Sequence, residues 1–228
     1  MPLAIITGAS RGLGLALSRA LALEGWGLVI DARGHAALEQ AADELGRITD
    51  VVAVRGDVAD PAHRRALIEA AGDQIDLLVN NASVLGPSPQ PVLGAYPLEE
   101  LERVYRTNVF APLALVQLVL PRLPDGAAIL HLTSDAAIEP YEGWGGYGCS
   151  KAALEQLTAI LAAEQPAIRV YAVDPGDMRT QMHQEAFPGE DISDRPPPED
   201  SVPGLLALIG GELPSGRYRA HELSDVTA

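Results

Sequence analysis

Short apolar runs along the chain alternate with longer stretches in which apolar residues return every three or four positions. The runs are LAIIT (3–7), LVI (28–30), VVAV (51–54), IDLLV (75–79), AAILHL (127–132) and IRVYAV (168–173). Helical patterns lie between them near 12–24, 35–46, 60–72 and 98–121, and one more is opened by YGCSK (147–151). This alternation is the rhythm of parallel strands joined by crossover helices. The runs mostly lack a period of two, as expected of strands covered on both faces. The pattern predicts an α/β fold in one domain, 1–228: a doubly wound parallel sheet of about seven strands with helices on both faces.

After Pro175 the pattern changes. Residues 179–200, RTQMHQEAFPGEDISDRPPPED, are acidic, punctuated by proline and without a clear period. Such a segment is longer than an ordinary connection. It follows a strand's C-terminal end, where open α/β sheets place their ligands, so we read it as a substrate lid rather than a plain linker. A short apolar helix (202–210) and a last strand near 217–220 complete the pattern.

Charge narrows the partners. With 31 acidic residues against 16 Lys and Arg, the net charge of −15 argues against nucleic-acid or anionic-membrane surfaces, and any phosphate must be held by a few local groups. No apolar run reaches the length of a membrane span, and the N-terminus lacks the order of a signal peptide, so a soluble, cytoplasmic protein is expected. The single cysteine, Cys149, is expected to pack within its helix. The histidines (35, 63, 131, 183, 221) show no metal-ligand spacing, and no metal is expected; His131 reads as a core or edge residue.

Two stretches carry chemistry. The first strand runs into Thr7-Gly8-Ala9-Ser10-Arg11-Gly12-Leu13-Gly14 and then a helix. Glycines there permit a tight turn and let a pyrophosphate approach backbone N–H groups at the helix start. In YGCSK, Tyr147 and Lys151 are four apart and share a helix face. An ammonium beside a phenol favours phenolate and lowers a pKa that is ordinarily about 10, although such pairs also arise by chance. The glycines of EGWGGYG are expected to lie outside the helix and leave its start open to a cleft. Ser134, thirteen residues before Tyr147 and just past a strand, could meet the phenol or could simply make a turn.

The TGxxxGxG turn and YxxxK pair, with Asn80-Asn81-Ala82, Asn108, Ser134 and Pro175-Gly176 in order between and after them, resemble the short-chain dehydrogenase/reductase family in its shorter form. The resemblance covers nearly the whole chain. It implies a Rossmann fold and an NAD(P)(H)-dependent oxidoreductase that interconverts a carbonyl and a secondary alcohol. By resemblance Tyr147 passes the proton, Ser134 holds the substrate oxygen, Lys151 tunes the tyrosine and bonds the nicotinamide ribose, and Asn108 bends its helix and holds a relay water. For the dinucleotide it implies Gly8, Ser10, Arg11, Gly12, Leu13 and Gly14 of the turn, and Asp57 and Val58 at the adenine. Asn80, Asn81 and Ala82 would lie beside the ribose, Pro175 and Gly176 near the nicotinamide, and Thr180 at its carboxamide. Ser83 stands where the family more often has glycine. Val84, Leu85, Tyr141 and Trp144 would line the substrate pocket with Ser134 and Tyr147. The family commonly pairs through the helices near 98–121 and 147–164, which implies a homodimer, with a homotetramer as the larger alternative.

The choice of dinucleotide turns on the end of the second strand, Ile30-Asp31-Ala32-Arg33. A carboxylate there would accept the ribose 2′-hydroxyl of NAD, whereas an arginine favours NADP. Aligned by the strand, the discriminating position falls on Ala32, and Arg33 matches the arginine of NADP-preferring members. NADP(H) is therefore the expected cofactor and NAD(H) the alternative. The rival functions are an NAD-dependent alcohol dehydrogenase and a catalytically silent dinucleotide sensor or scaffold of the same fold.

Overall fold

In a computed structural model of the chain, residues 1–223 are described. Seven parallel strands form one sheet: β1 (Leu3–Ile6), β2 (Gly27–Ala32), β3 (Val51–Arg55), β4 (Leu77–Asn80), β5 (Ala128–Leu132), β6 (Arg169–Asp174) and β7 (Gly216–Arg219), in spatial order β3-β2-β1-β4-β5-β6-β7. The chain lays strands outward from β1 to β3, then crosses back to place β4 on β1's other side. The C-terminal ends of β1 and β4 therefore part into a crevice, the topological switch point where such sheets bind ligands.

Strand alternation divides the core. Leu77 and Val79 join the layer formed with α1 (Gly12–Leu23), α2 (His35–Leu45) and α8 (Val202–Gly210), while Leu78 joins the opposite layer with α3 (Pro61–Ala71) and α5 (Ala111–Val119). Asp60 begins α3 by accepting the Ala62 N–H at 2.8 Å, with Pro61 in the first turn, the capping arrangement its sequence predicts.

Four expectations need correction. The helical stretch Leu98–Arg122 is, by length and composition, long and apolar enough to cross a membrane. Half of its apolar window is buried, with α5 lying on α3 and β4, so it serves as a core helix here. It is built from α4 (Leu98–Tyr105), a π-helical turn at Arg106–Phe110, and α5. Second, α6 (Gly145–Glu164) starts two residues before Tyr147, so Gly145 and Gly146 are helical. A side chain on either would collide with Leu93 or Tyr96, so these glycines permit close packing rather than an open end. Third, Cys149 is exposed, because the buried face of α6 carries Tyr147, Ser150, Lys151, Leu154 and Thr158. Fourth, segment 179–200 is partly ordered by α7 (Gln181–Ala186) and a 3₁₀ turn at Pro198–Ser201. The short helix α9 (Ala220–Leu223) follows β7.

Candidate active site

The crevice is built first at the glycine turn. Gly8 (φ +68°) and Gly12 (φ +56°) adopt the left-handed backbone that favours glycine. A Cβ on Gly8 would lie 2.9 Å from the Ala82 Cα, and one on Gly14 would lie 2.6 Å from the Asn81 Nδ2, so the turn and the end of β4 touch through backbone. The Asn81 amide donates to the Thr7 and Gly8 carbonyls at 2.8 and 3.1 Å, and Thr7 Oγ1 accepts the Asn81 and Ala82 N–H groups at 3.0 Å each. The helix opens at Arg11 without a side-chain cap, leaving its first N–H groups for a ligand. This cradle fits a dinucleotide's pyrophosphate. The Leu13 side chain is buried in the core, and Arg11 bonds Gln181 on α7, tying the turn to segment 179–200.

Asp31 is turned inward. Only 2% of it is exposed; one carboxylate oxygen accepts the Gly8 N–H at 2.6 Å and the other meets His63 Nε2 at 2.8 Å, with His63 itself 6% exposed. Both oxygens are thus engaged by protein, and the side chain braces the turn from behind. Arg33 stands exposed beyond it, and its carbonyl accepts Arg55 Nε at 3.4 Å. Sequence reasoning missed His63. The available signal was its position four residues before the core residue Leu67 on α3, opposite a strand interior that carries an aspartate. Asp57 caps the local turn through Ala59 N–H at 2.9 Å beside the buried Val58, and neither amide atom of the buried Asn80 has a partner among the described residues.

Beside the crevice, the ends of β4, β5 and β6 bring Ser134, Tyr147, Lys151 and Asn108 together. Lys151 Nζ lies 5.3 Å from the Tyr147 ring centroid and donates to the Leu132 carbonyl at 2.7 Å. Ser134 donates its hydroxyl proton to Asp135 Oδ1 at 2.8 Å and accepts the Ala136 N–H at 3.2 Å. Asn108 lies in the π-turn, and its amide is fully used. Its oxygen takes the Ser83 hydroxyl (3.1 Å) and Val84 N–H (2.9 Å), while its nitrogen donates to the Val84 carbonyl (2.9 Å) and Ser150 Oγ (3.0 Å). It fastens the end of β4 to α6.

The electrostatics differ from the expectation that Lys151 pulls the phenol down. Burial pushes Tyr147 well above the ordinary phenol range, Asp174 and Asp135 push it further, and hydrogen bonding with Ser134 and Ser83 only partly opposes them. Burial also lowers Lys151 to about 8, against the opposing pull of Glu155. His131, on β5, is buried and lowered to about 3 by burial and by Lys151, so it is neutral; its Nδ1 meets Thr158 Oγ1 at 2.7 Å. Behind the serine, Arg217 bridges Glu155 at 3.0 Å and Asp174 at 3.3 Å, and Thr133 donates to the same Glu155 oxygen at 2.7 Å.

Aromatic rings cluster around Tyr147. Trp144 meets Tyr147 edge-on at 5.8 Å, Phe187 at 5.8 Å and Tyr141 at 6.3 Å between ring centroids. Leu85, Met182 and Ala186 complete an apolar wall with Ala136. Tyr141 donates its hydroxyl to Asp135 Oδ2 at 2.9 Å. Thr180 caps α7 by accepting the His183 N–H at 3.3 Å, while Ser201 holds the Pro175 carbonyl at 2.8 Å ahead of Gly176 (φ +78°). Asp135, Ser83 and Phe187 were not anticipated. Asp135 reads as an ordinary turn residue, and Phe187 sits in a segment without a period.

A glycine-lined phosphate cradle at a switch point, beside a buried Tyr and Lys pair and a serine, defines a dinucleotide-dependent oxidoreductase. The family model described as short chain dehydrogenase matches residues 2–191. The chain belongs to the short-chain dehydrogenase family, whose members are oxidoreductases acting on CH–OH and C=O groups. Among relatives, the sepiapterin reductase of Meriones unguiculatus is 34% identical over 199 residues, covering 80% of this chain and 76% of that protein. The benzil reductase ((S)-benzoin forming) of Saccharomyces cerevisiae is 34% identical over 193 residues, covering 79% and 73%. A solved chain from Pseudomonas syringae superposes with a TM-score of 0.89 at 30% identity, covering 96% of this chain and 94% of that one. A Shigella flexneri chain complexed with NADP gives 0.87 at 26% identity, covering 96% of each.

Proposed function

We propose that the protein is an NADPH-dependent carbonyl reductase in which Tyr147 is the general acid. The observation that carries the reading is the placement of Tyr147, with its ring 5.3 Å from Lys151 Nζ and 5.8 Å from Trp144 beside the glycine turn; burial favours the protonated phenol, the form a general acid needs. When bound, the nicotinamide supplies the hydride. Ser134 orients the carbonyl oxygen beside Tyr147. Lys151, buried beside the phenol, bonds the nicotinamide ribose and returns a proton to Tyr147 after turnover. Asn108 is a positioning residue that keeps Ser83 and Val84 against α6.

The preference for NADPH over NADH rests on Asp31. Buried at 2% exposure behind the turn, with Gly8 and His63 on its oxygens, it is closed to a ribose hydroxyl, whereas the exposed Arg33 can meet a 2′-phosphate. Gly8, Ser10, Gly12, Leu13 and Gly14 would cradle the pyrophosphate through backbone, with Asp57 and Val58 at the adenine and Asn81 and Ala82 by the ribose. Segment 179–200 would close over a substrate held between Val84, Tyr141 and Trp144. The exposed Phe110 and Ile160 on the two helices named by the family's pairing habit support a homodimer.

The test is reduction of a ketone panel that includes benzil, followed by loss of NADPH absorbance. Tyr147→Phe should lower turnover roughly 10²–10⁴-fold and leave NADPH affinity nearly unchanged. Substantial remaining activity would overturn the assignment of the acid.

A further inference from the structure

Asp135 occupies an unusual place for a carboxylate, directly after the serine that orients the substrate oxygen. Its Oδ1 takes the Ser134 hydroxyl proton and the Ala136 N–H, both at 2.8 Å, and its Oδ2 takes the Tyr141 hydroxyl at 2.9 Å. A serine has one proton to give. While Asp135 holds it, Ser134 cannot donate to a carbonyl. For Ser134 to turn toward the substrate, Asp135 must give up a charge-assisted hydrogen bond, among the stronger kinds, beneath a partly dry aromatic wall.

A substrate can make this exchange neutral if it brings a replacement donor. We propose that Asp135 recognises the substrate, and that the substrate carries a hydrogen-bond donor, hydroxyl or ammonium, on the carbon adjacent to the reacting carbonyl. The proposal rests on the reading of this site as a carbonyl reductase. The 2.8 Å between Ser134 Oγ and Asp135 Oδ1 suits two heteroatoms borne on neighbouring carbons. The carbonyl oxygen then accepts from Ser134 and Tyr147 while the neighbouring donor gives its hydrogen bond to Asp135. The exchange at Asp135 leaves the Ser134 hydroxyl, the carbonyl oxygen and the carboxylate oxygen each with a partner.

The exchange leaves the redox balance unaltered. The carbonyl carbon takes a hydride from the bound nicotinamide, its oxygen takes the Tyr147 proton, and the neighbouring donor keeps its own. The product is a vicinal diol or an amino alcohol. A plain ketone must instead break the Ser134 to Asp135 bond without compensation, the situation in which a site built around a polar group rejects the analogue that lacks it.

The experiment compares phenacyl alcohol and phenacylamine with acetophenone, in the wild type and in Asp135→Ala and Asp135→Asn, with NADPH saturating. Wild type should favour the two donor-bearing ketones by roughly 10–100-fold in kcat/KM, less than the largest discriminations because Asp135 is only half-buried. Asp135→Ala should bring the ratio toward one. Asp135→Asn, which keeps the side chain's shape should the alanine variant fold poorly, should lose the preference for the ammonium more than that for the hydroxyl. Equal kcat/KM for all three ketones in the wild type, or a preference unchanged in both variants, overturns the role of Asp135. No turnover of any ketone by protein that binds NADPH overturns the reductase reading itself, and this proposal with it.

Discussion

Two aspartates at the C-terminal edge of the sheet do superficially similar work and differ in one property that decides their roles. Asp31, at the end of β2, accepts from the glycine turn; Asp135, in the turn after β5, accepts from the serine. Asp31 is 2% exposed, with one oxygen 2.8 Å from the buried His63 Nε2, so it is closed off from the crevice. Asp135 is half-buried, and its side-chain partners are Ser134 and Tyr141, the latter 47% exposed. A carboxylate sealed with its partners is committed to holding a shape. One that borders the pocket can trade a partner for a ligand.

Removal should expose the difference. Asp31→Ala leaves His63 and the Gly8 N–H buried without an acceptor and should destabilise the fold by roughly 2–4 kcal/mol. Asp135→Ala, whose former partners can turn to water, should cost less than about 1 kcal/mol. Urea unfolding of the two variants measures both, and equal losses would dissolve the distinction. Since Asp31 acts through Gly8, its removal should also weaken NADPH and NADH alike.

A smaller effect separates Asp31 from its exposed neighbour. Arg33→Ala should weaken NADPH binding roughly 10–100-fold, the worth of a charged hydrogen bond, and leave NADH nearly unaffected. Fluorescence titration with both dinucleotides reads this directly. If both weaken equally, Arg33 does not hold the 2′-phosphate, and Arg55 becomes the residue to vary.

Much of this was legible in the sequence because it depends on neighbours. Strands β1 to β6 follow from apolar runs, and α8 was placed at its observed bounds, since periodicity and flanking breakers are local signals. Strand alternation alone turns Asp31 and Ala32 to opposite faces. What escaped reading depends on distance in sequence. His63 lies 32 positions from Asp31, and Leu93 and Tyr96 are what call for glycine at 145 and 146 by leaving no room for a side chain. The resemblance implied a bend at Asn108; the partners its amide takes there, Val84 after β4 and Ser150 on α6, lie outside any pattern within 98–121. The electrostatic error had the same origin: spacing put Lys151 beside Tyr147, but burial and two remote carboxylates decide the balance.

Lys151 is a buried group of the opposite sign. Its ammonium donates to the Leu132 carbonyl oxygen, Glu155 favours its charge, and neutral His131 lies nearby. Its pKa of about 8 lies below the ordinary lysine value, so the folded protein holds this proton less tightly than the unfolded chain. The protonated form therefore opposes folding below about pH 8, and the penalty is relieved as pH rises toward the ordinary lysine range. Binding runs the other way if the ammonium grips the ribose. NADPH affinity should be level near pH 7 and fall above about 8, approaching a tenfold loss per pH unit as the free protein releases this proton before the complex does. Lys151→Met should bind more weakly and show no such limb, although its fold is more stable near neutrality. A wild-type affinity that stays level through pH 9 would mean that the ammonium makes no contact with the dinucleotide, leaving Lys151 to act on Tyr147 alone.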